Sequence, residues 1–395
     1  MFKEIRTNKL TNNLKFYLIL IAISIIASFV IYFPFIFHCQ SFLGLDFKQK
    51  VFNFSTIFKN FDGLNYIIVA KTWYQSEKII NLFSNQPLPA RYFPAHFPAY
   101  PALIWLVAQL PLINFPYAAL IVSLFSSIAL VVTAFLFFKL ILKNKKQAFA
   151  LAALLAFFPA RWLIVKNVAS PEPLFLTAIL LAVYFYKKQK YFLTALAVII
   201  SQLIKSPGIL LSASFGLIAL HKIWQEKENF FDSIKKYWPL LITPVGLLAV
   251  FFLYQTTTGN FLAYFKTGDN IHLFWPPFQI FDFNETWVNT IWLEDVYLVY
   301  LISLVFLINL WKKYRFDILA VFPTIFYFST CFVAHRDLSR YLLPILPFLI
   351  LGGKNIFTNK KFWLALIILL PALFLYAINF ISFNIMPVVD WTPYL

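Results

Sequence analysis

The sequence predicts an all-α fold, a polytopic transmembrane helical bundle, because of its composition and the pattern of its charges. Hydrophobic residues make up 61% of the 395 residues, charged residues only 12%, and the mean hydropathy is +0.76. A soluble domain carries charge on about a quarter of its residues. Because no polar stretch is long enough to build such a domain, we expect residues 1–395 to form a single membrane domain with loops.

Apolar segments of near-spanning length recur along the whole chain. A transmembrane helix needs about 20 apolar residues, and fewer where the bilayer thins or the helix is shielded. By this measure the chain has about eleven candidate spans, of which the fourth, fifth, sixth and tenth are short for a full crossing. The candidates are 16–37, 117–140, 147–164, 173–186, 191–204, 208–223, 237–254, 296–310, 317–333, 341–353 and 362–385.

Lysine and arginine cluster in short runs between these segments. The chain has 33 basic and 16 acidic residues, a formal net charge of +17. Placing the runs on one side of the membrane satisfies the positive-inside rule, with the N-terminus inside and the C-terminus outside. The excess charge therefore indicates topology, and no nucleic-acid partner is expected. The runs lie within 3–15, 139–146, 187–190, 222–236, 312–315 and 354–361.

Two loops on the predicted outer side are much longer than their connections require. We refer to 38–95 as the first long loop and to 255–295 as the second long loop. Loops of this length in compact proteins are usually functional or disordered. The apolar stretch 97–112, which follows the first long loop, begins among prolines, so we expect a surface or partly inserted helix there.

The middle of the first long loop has the spacing of an amphipathic helix that lies along the membrane surface. The apolar positions of this helix are Phe54, Ile57, Phe58 and Phe61. Asp62 stands between it and a second helical run, 64–74. A carboxylate in this position is a good N-cap, and it could equally be a catalytic group, since a cap also fixes the side chain in place.

The other charged residues of interest also fall at predicted outer helix ends. Glu172 begins a helix, where it favours the helix dipole without needing a function. Lys205 interrupts an apolar run, and Arg336 and Arg340 flank Asp337, with which they could form a local ion network. A transporter is expected to place such groups near the midplane, on broken helices related by repeats. The observed arrangement favours a site open to the outer aqueous phase and to lipid headgroups.

Several stretches resemble, in order, motifs of the GT-C superfamily, in particular the bacterial relatives of the second GPI mannosyltransferase. The stretches are FDGLNYIIVA, YFPAHFPAYPALI, SPEPLF, TGNFLAYFKTGDNIHLFWPP and SRYLLPILPFL, and they are spread at plausible spacing over most of the chain. Two positions depart from the family pattern. Phe61 replaces the usual Trp, and Asn260 stands where an acidic residue is common, whereas Asp62 is retained.

The resemblance implies an inverting glycosyltransferase with a polyprenyl- or dolichyl-phosphate sugar as donor and a hexose, mannose first, as the sugar. Asp62 is then the base that accepts the proton of the attacking hydroxyl. Cations stabilise the departing phosphate, and other side chains position the substrates. We assign the phosphate to Arg340, then Arg336 and Lys205, and substrate positioning to Glu172, Asp269, His272, Trp275 and Tyr66.

The resemblance also implies partners and excludes others. The expected partners are membrane lipids, the polyprenyl-phosphate sugar and a glycan, lipid or protein acceptor. No cofactor and no metal are expected, because a lipid-phosphate leaving group does not demand one. Asp269 and His272 are only two potential ligands on a loop. We expect an extracytoplasmic site in a bacterial plasma membrane. The alternatives are a flippase or transporter of lipid-linked sugars and an aminosugar transferase that modifies a lipid.

Overall fold

The computed structural model describes a mostly helical chain, as the composition predicts. The described residues are 2–42, 44–47, 53–60, 62–225, 227, 229–268, 273–284, 293–335 and 337–395. The α-helices of these residues are α1 (Phe2–Ile36), α2 (Ser55–Phe58), α3 (Gly63–Thr72), α4 (Ser76–Leu82), α5 (Ala99–Val107), α6 (Phe115–Leu142), α7 (Lys145–Leu154), α8 (Ala160–Val165), α9 (Glu172–Lys187), α10 (Tyr191–Ile204), α11 (Ile209–Gln225), α12 (Phe230–Leu241), α13 (Val245–Thr258), α14 (Leu293–Tyr314), α15 (Ile318–Thr330), α16 (Leu338–Tyr341), α17 (Leu346–Gly352), α18 (Lys354–Phe357) and α19 (Lys360–Phe383).

Short elements complete the described part of the chain. Two strands, β1 (Ser41–Phe42) and β2 (Leu45–Asp46), form an antiparallel hairpin in which Ser41 lies opposite Asp46. The 3₁₀ helices are Ala90–Ala95, Ser206–Gly208, Ala263–Lys266, Gln279–Phe281, Leu343–Ile345 and Thr392–Tyr394.

Within the described residues, six helical segments are long and apolar enough to cross a membrane. They are Leu14–Ile36, Phe115–Leu142, Ser206–Gln225, Phe231–Thr258, Leu293–Tyr314 and Lys360–Phe383. Three shorter apolar helical segments, Tyr191–Ile204, Ile318–Thr330 and Leu338–Gly352, occupy further predicted spans. The prediction of a polytopic helical membrane protein is confirmed.

The third predicted span, 147–164, is broken in the structure. It consists of α7 and α8, separated by a turn at 155–159. A break at membrane depth leaves carbonyl groups that need partners within the protein. Lys166 supplies one, because its buried ammonium donates to the carbonyl of Ala156 at 2.7 Å. The ammonium also lies 3.2 Å from the hydroxyl of Ser24, in the middle of α1.

The first long loop packs more tightly than its sequence pattern predicts. The predicted amphipathic helix is a single turn, α2, and Phe61 lies outside the described residues. Thr56, on its polar side, is buried together with Ile57. The next helix, α3, is buried along almost its whole length. These segments lie under other parts of the chain, which is why Thr56 is shielded from solvent.

The C-terminal segment covers the first long loop. The amide of Met386 donates to the carbonyl of Lys59 at 2.8 Å, and the side-chain amide of Asn60 donates to the carbonyl of Ile381 at 3.1 Å. Further along, the ammonium of Lys71 donates to the carbonyl of Pro393 at 2.7 Å. These bonds fix the backbone on both sides of Asp62.

Close helix packing also depends on small residues, as is common in membrane bundles. Gly352, at the end of α17, lies directly against α14. A Cβ atom there would meet the carbonyl oxygen of Phe306 at 2.4 Å. Gly216, in α11, is a helical glycine that is not closely packed, because nothing lies within 4 Å of the position that an added Cβ atom would take.

We expect Gly352→Ala to destabilise the protein by about 1–3 kcal/mol, because the added methyl group forces a backbone to move. Gly216→Ala is the control, and it should be neutral or slightly stabilising, because alanine favours a helix over glycine. The measurement is the thermal unfolding midpoint of the two variants in detergent. Equal midpoints would contradict the close contact between α14 and α17.

Candidate active site

Glu172 is the most deeply buried charge of the candidate site. It is the first residue of α9, and its side chain is only 1% exposed. Its Oε1 atom accepts from Nε of Arg340 at 2.8 Å and from Nζ of Lys205 at 2.9 Å. Its Oε2 atom accepts from the hydroxyl of Ser170. A buried carboxylate requires such partners, because an unpaired charge in a nonpolar interior is very costly.

Arg340 joins this carboxylate to Asp62. Its Nη1 atom lies 3.2 Å from Oδ2 of Asp62, while its Nε atom donates to Glu172. The guanidinium group is planar and has donors in a fixed fork, which suits it to hold two carboxylates at once. One arginine thus connects the start of α3, the start of α9 and the short helix α16.

Asp62 is not a capping side chain. It occupies the N-cap position of α3, but its side chain makes no capping hydrogen bond. The carboxylate points to Arg340 instead and is 24% exposed. The next residue, Gly63, allows a close approach, because a Cβ atom there would lie 2.9 Å from Cβ of Ala169. The start of α3 is therefore pressed against the turn that leads to Glu172.

Polar residues of α6 hold that turn. The hydroxyl of Ser123 accepts from the amide of Ser170 at 3.0 Å and lies 2.7 Å from the phenol oxygen of Tyr100. The hydroxyl of Ser127 donates to the carbonyl of Lys166 at 3.3 Å. Hydroxyl groups inside an apolar helix here provide hydrogen-bond partners for the irregular backbone beside it.

A second ion pair lies across the site and was missed from the sequence. Nη2 of Arg161 is 2.9 Å from Oδ1 of Asp337, and Nε of Arg161 donates to the hydroxyl of Ser339 at 3.3 Å. Burial raises the pKa of Asp337, although the charge of Arg161 opposes this. A usable signal was present, since an arginine inside a predicted apolar span needs a polar partner.

The two ion pairs border one cavity of about 290 Å³, its open mouth included. Asp62, Arg340, Arg161 and Asp337 all line this cavity. The side chains of these four residues are all partly exposed, at 11–24%. Glu172 and Lys205 do not line the cavity but support Arg340 from behind.

Tyr66 and His96 pack beside the cluster. The Tyr66 ring meets the His96 ring edge-to-face at 4.8 Å and the Tyr100 ring at 5.0 Å. Burial raises the pKa of Tyr66 well above its usual value, and the charges of Glu172 and Asp62 add to this. The phenol therefore stays protonated and can act as a hydrogen-bond donor. The Nδ1 atom of His96 is buried and has no hydrogen-bond partner within the described structure.

The structure brings together Asp62, Arg340, Lys205, Glu172 and Tyr66 of the predicted site residues. Three others, Arg336, Asp269 and His272, lie outside the described residues. Within the described ranges, no group of three or more His, Cys, Asp or Glu side chains could hold a metal ion.

Trp275 belongs to the second long loop and is 80% exposed. Its ring stacks on Phe332 at 5.8 Å, and the neighbouring Phe274 amide donates to the carbonyl of Phe332 at 2.7 Å. The loop is therefore tied to the segment that leads to α16. The substrate-positioning role of Trp275 stays a prediction.

Comparison with protein-family models and with curated proteins gives no match. Among solved structures, the chain is similar to ArnT from Cupriavidus metallidurans, in a crystal structure with bound undecaprenyl phosphate. The TM-score is 0.54 and the identity is 12%, over 80% of this chain and 60% of the ArnT chain. The chain thus has an ArnT-like polytopic helical fold and spans about three fifths of the length of ArnT.

We expect Glu172→Gln to destabilise the protein by about 1–3 kcal/mol, because buried partners lose a charged acceptor. Lys187→Gln is the matched control. It breaks the 2.8 Å pair with Asp317, in which both side chains are about 30% exposed, and such pairs contribute about 0–1 kcal/mol. Thermal unfolding in detergent measures both. Equal losses would mean that burial does not set the contribution of Glu172.

We also expect His96 to make the stability of the protein sensitive to pH. Burial lowers the pKa of His96 below its usual 6.5, although the charge of Asp62 opposes this. The unfolded chain therefore takes up this proton first as the pH falls. The contribution of neutral His96 to the free energy of unfolding is therefore fully present above pH 6.5 and is lost progressively below it.

His96→Phe keeps a ring against Tyr66 and removes the titrating group. We expect the variant to lose less stability than the wild type when the pH is lowered through 6.5. The measurement is the unfolding midpoint of both proteins across this range. Parallel curves would show that His96 does not contribute to the acid sensitivity.

Proposed function

We propose that this chain is an integral-membrane glycosyltransferase of the GT-C type, which uses a polyprenyl-phosphate sugar as donor. The observation that carries the proposal is the pairing, at one cavity, of a partly exposed Asp62 with Arg340, whose charge lies close to that of Lys205. The ordered sequence motifs support the superfamily, and the ArnT-like fold supports it independently. The undecaprenyl phosphate bound in the ArnT crystal structure supports a lipid-phosphate donor.

In the proposed reaction, an acceptor hydroxyl attacks the anomeric carbon as the bond to the carrier phosphate breaks. The attacking oxygen gives its proton to Asp62, and the electron pair of the broken bond leaves with the phosphate. One displacement inverts the anomeric centre, through a transition state that resembles an oxocarbenium ion. A positioned carboxylate contributes about 10²–10⁴-fold to such a proton transfer.

The exposures of the two carboxylates support this assignment. Glu172 is 1% exposed and is held by two cations and a hydroxyl. Asp62 is 24% exposed and borders the cavity. A base must meet the acceptor hydroxyl and later release its proton to solvent, which Asp62 can do. Glu172 instead holds the cations in place.

Arg340 and Lys205 are the proposed partners of the carrier phosphate. Both contact Oε1 of Glu172, so their charges lie close together. Preorganised cations of this kind stabilise the charge that develops on a leaving group. The reaction as proposed needs no metal ion. Arg336 could add a third cation, and Asp269, His272 and Trp275 of the second long loop would contact a substrate.

The sugar, the acceptor and the side of the membrane are the finer parts of the proposal. We propose a hexose, with mannose first, transferred on the extracytoplasmic face of a bacterial plasma membrane to a glycan, lipid or protein. Transfer of an aminosugar to a lipid uses the same chemistry and is the alternative within it. Transport of a lipid-linked sugar is the alternative that requires no base at Asp62.

We expect the purified protein to transfer sugar from one member of a panel of radiolabelled polyprenyl-phosphate sugars to a membrane extract. Asp62→Asn should lower this rate by about 10²–10⁴-fold while the protein stays folded. Asp46→Asn is the matched control, because Asp46 is an exposed aspartate of the same loop, and it should keep the wild-type rate.

Full activity of Asp62→Asn would contradict the role of this residue as base. Absence of transfer from every donor, with movement of lipid-linked sugar across liposomes, would favour the transporter instead. The productive donor in the panel identifies the sugar and separates a hexose from an aminosugar.

A further inference from the structure

The cavity beside the two ion pairs is lined by both charged and apolar side chains. The pairs Asp62–Arg340 and Arg161–Asp337 contribute charged groups to its lining, and Val165 and Val168 contribute apolar groups. The space between the pairs, its open mouth included, is about 290 Å³. Nothing in the proposed reaction yet uses Arg161 or Asp337.

The charges around the cavity favour an uncharged ligand. Three carboxylates, Asp62, Glu172 and Asp337, are matched by three cations, Arg161, Lys205 and Arg340. With all six groups ionised the cluster is neutral. A phosphate in the cavity would bring its charge close to Asp62 and Asp337, in partly buried surroundings where repulsion is poorly screened.

The hydrogen-bonding groups favour a ligand that both donates and accepts. Each of the two ion pairs presents guanidinium donors beside carboxylate acceptors, and Asn60 and Asn384 add amide groups to the lining. Sugar hydroxyls donate and accept at the same atom, so neighbouring hydroxyls can bridge such an arginine–aspartate pair.

Arg161 is held rigidly for this role. Its guanidinium carbon lies 4.1 Å from the ring centroid of Phe380, and the same group contacts Asp337 and Ser339. A cation over an aromatic face, with two further contacts, has a fixed orientation. Rigid donors favour one arrangement of hydroxyls over another, because a misplaced hydroxyl leaves a buried group unpaired.

We propose that this cavity binds the hydroxyl-bearing ring of a sugar, and that Arg161 and Asp337 are the specificity-determining pair that reads its hydroxyls. The carrier phosphate lies outside the cavity, on the side of Lys205. Lys205 has the most exposed cationic side chain of the cluster, at 28%. This inference rests on the proposed function, because it places the sugar ring on one side of Arg340 and the carrier phosphate on the other.

The test measures binding by full-length protein in detergent, so it does not depend on turnover. The probes are a panel of methyl hexosides, observed by saturation-transfer NMR, and undecaprenyl phosphate, observed by thermal shift. We expect the wild type to bind some methyl hexosides and not their epimers. Arg161→Lys, which keeps the charge and loses the fork, should weaken hexoside binding about tenfold or more.

The same Arg161→Lys variant should bind undecaprenyl phosphate within about twofold of the wild type. Lys205→Gln should instead weaken the binding of undecaprenyl phosphate and leave hexoside binding within about twofold of the wild type. Arg91→Gln, a change at an exposed arginine of the first long loop, is the control and should affect neither probe. Asn384→Leu removes a polar group from the lining without breaking an ion pair. It should also weaken hexoside binding, and it keeps the test valid if Arg161→Lys is unstable.

Competition separates the two sources of the sugar ring. If the cavity binds the sugar ring of the donor, a polyprenyl-phosphate hexose displaces the methyl hexoside. If the cavity binds a ring of the acceptor, the polyprenyl-phosphate hexose does not displace the methyl hexoside. Hexoside binding unchanged in Arg161→Lys and Asn384→Leu would overturn the inference. So would a loss of undecaprenyl phosphate binding in Arg161→Lys as large as in Lys205→Gln. Sugar transfer together with either result would leave the proposed function standing.

Discussion

The bridge that Arg340 makes between Glu172 and Asp62 determines how the rest of the site can be built. A carboxylate as buried as Glu172 is stable only with cations against it. Those cations come from α16 and from the end of α10, so these elements must meet the start of α9. Asp62 then needs only one further contact, to the same guanidinium group. The site is therefore located by the requirement to neutralise one buried charge.

Where these helix ends meet, the backbone is irregular, and the surrounding structure supplies partners for its N–H and C=O groups. The turn before Glu172 cannot form regular hydrogen bonds, and Ser123 and Ser127 of the apolar helix α6 supply them. On the other side, the C-terminal segment binds the backbone around Asn60. Non-helical backbone at the end of a membrane bundle is tolerated only where protein groups replace water in this way. The rigidity of Asp62 thus depends on residues distant from it in the sequence.

Much of this could be predicted from the sequence, and the failures have physical causes. Apolar length is a local property, and α10 coincides with its predicted span, 191–204. Glu172, Lys205 and Arg340 could be predicted as site residues because charge near lipid is costly. The break between α7 and α8, the cover formed by the C-terminal segment and the pairing of Arg161 with Asp337 were not predicted. Each depends on contacts between distant parts of the chain, which hydropathy does not encode.

The two carboxylates on Arg340 differ in what surrounds them, and this difference separates anchoring from chemistry. A group that takes up a proton in every turnover must be able to reach the proton donor and must have an exit to solvent, and the buried Glu172 has neither. Asp62 shares Arg340 with Glu172, but of these two carboxylates it is Asp62 that lines the cavity. A carrier phosphate that approached Lys205 would also attract the neighbouring Arg340 and weaken its hold on Asp62. The same guanidinium group thus connects the proposed donor phosphate with the proposed base.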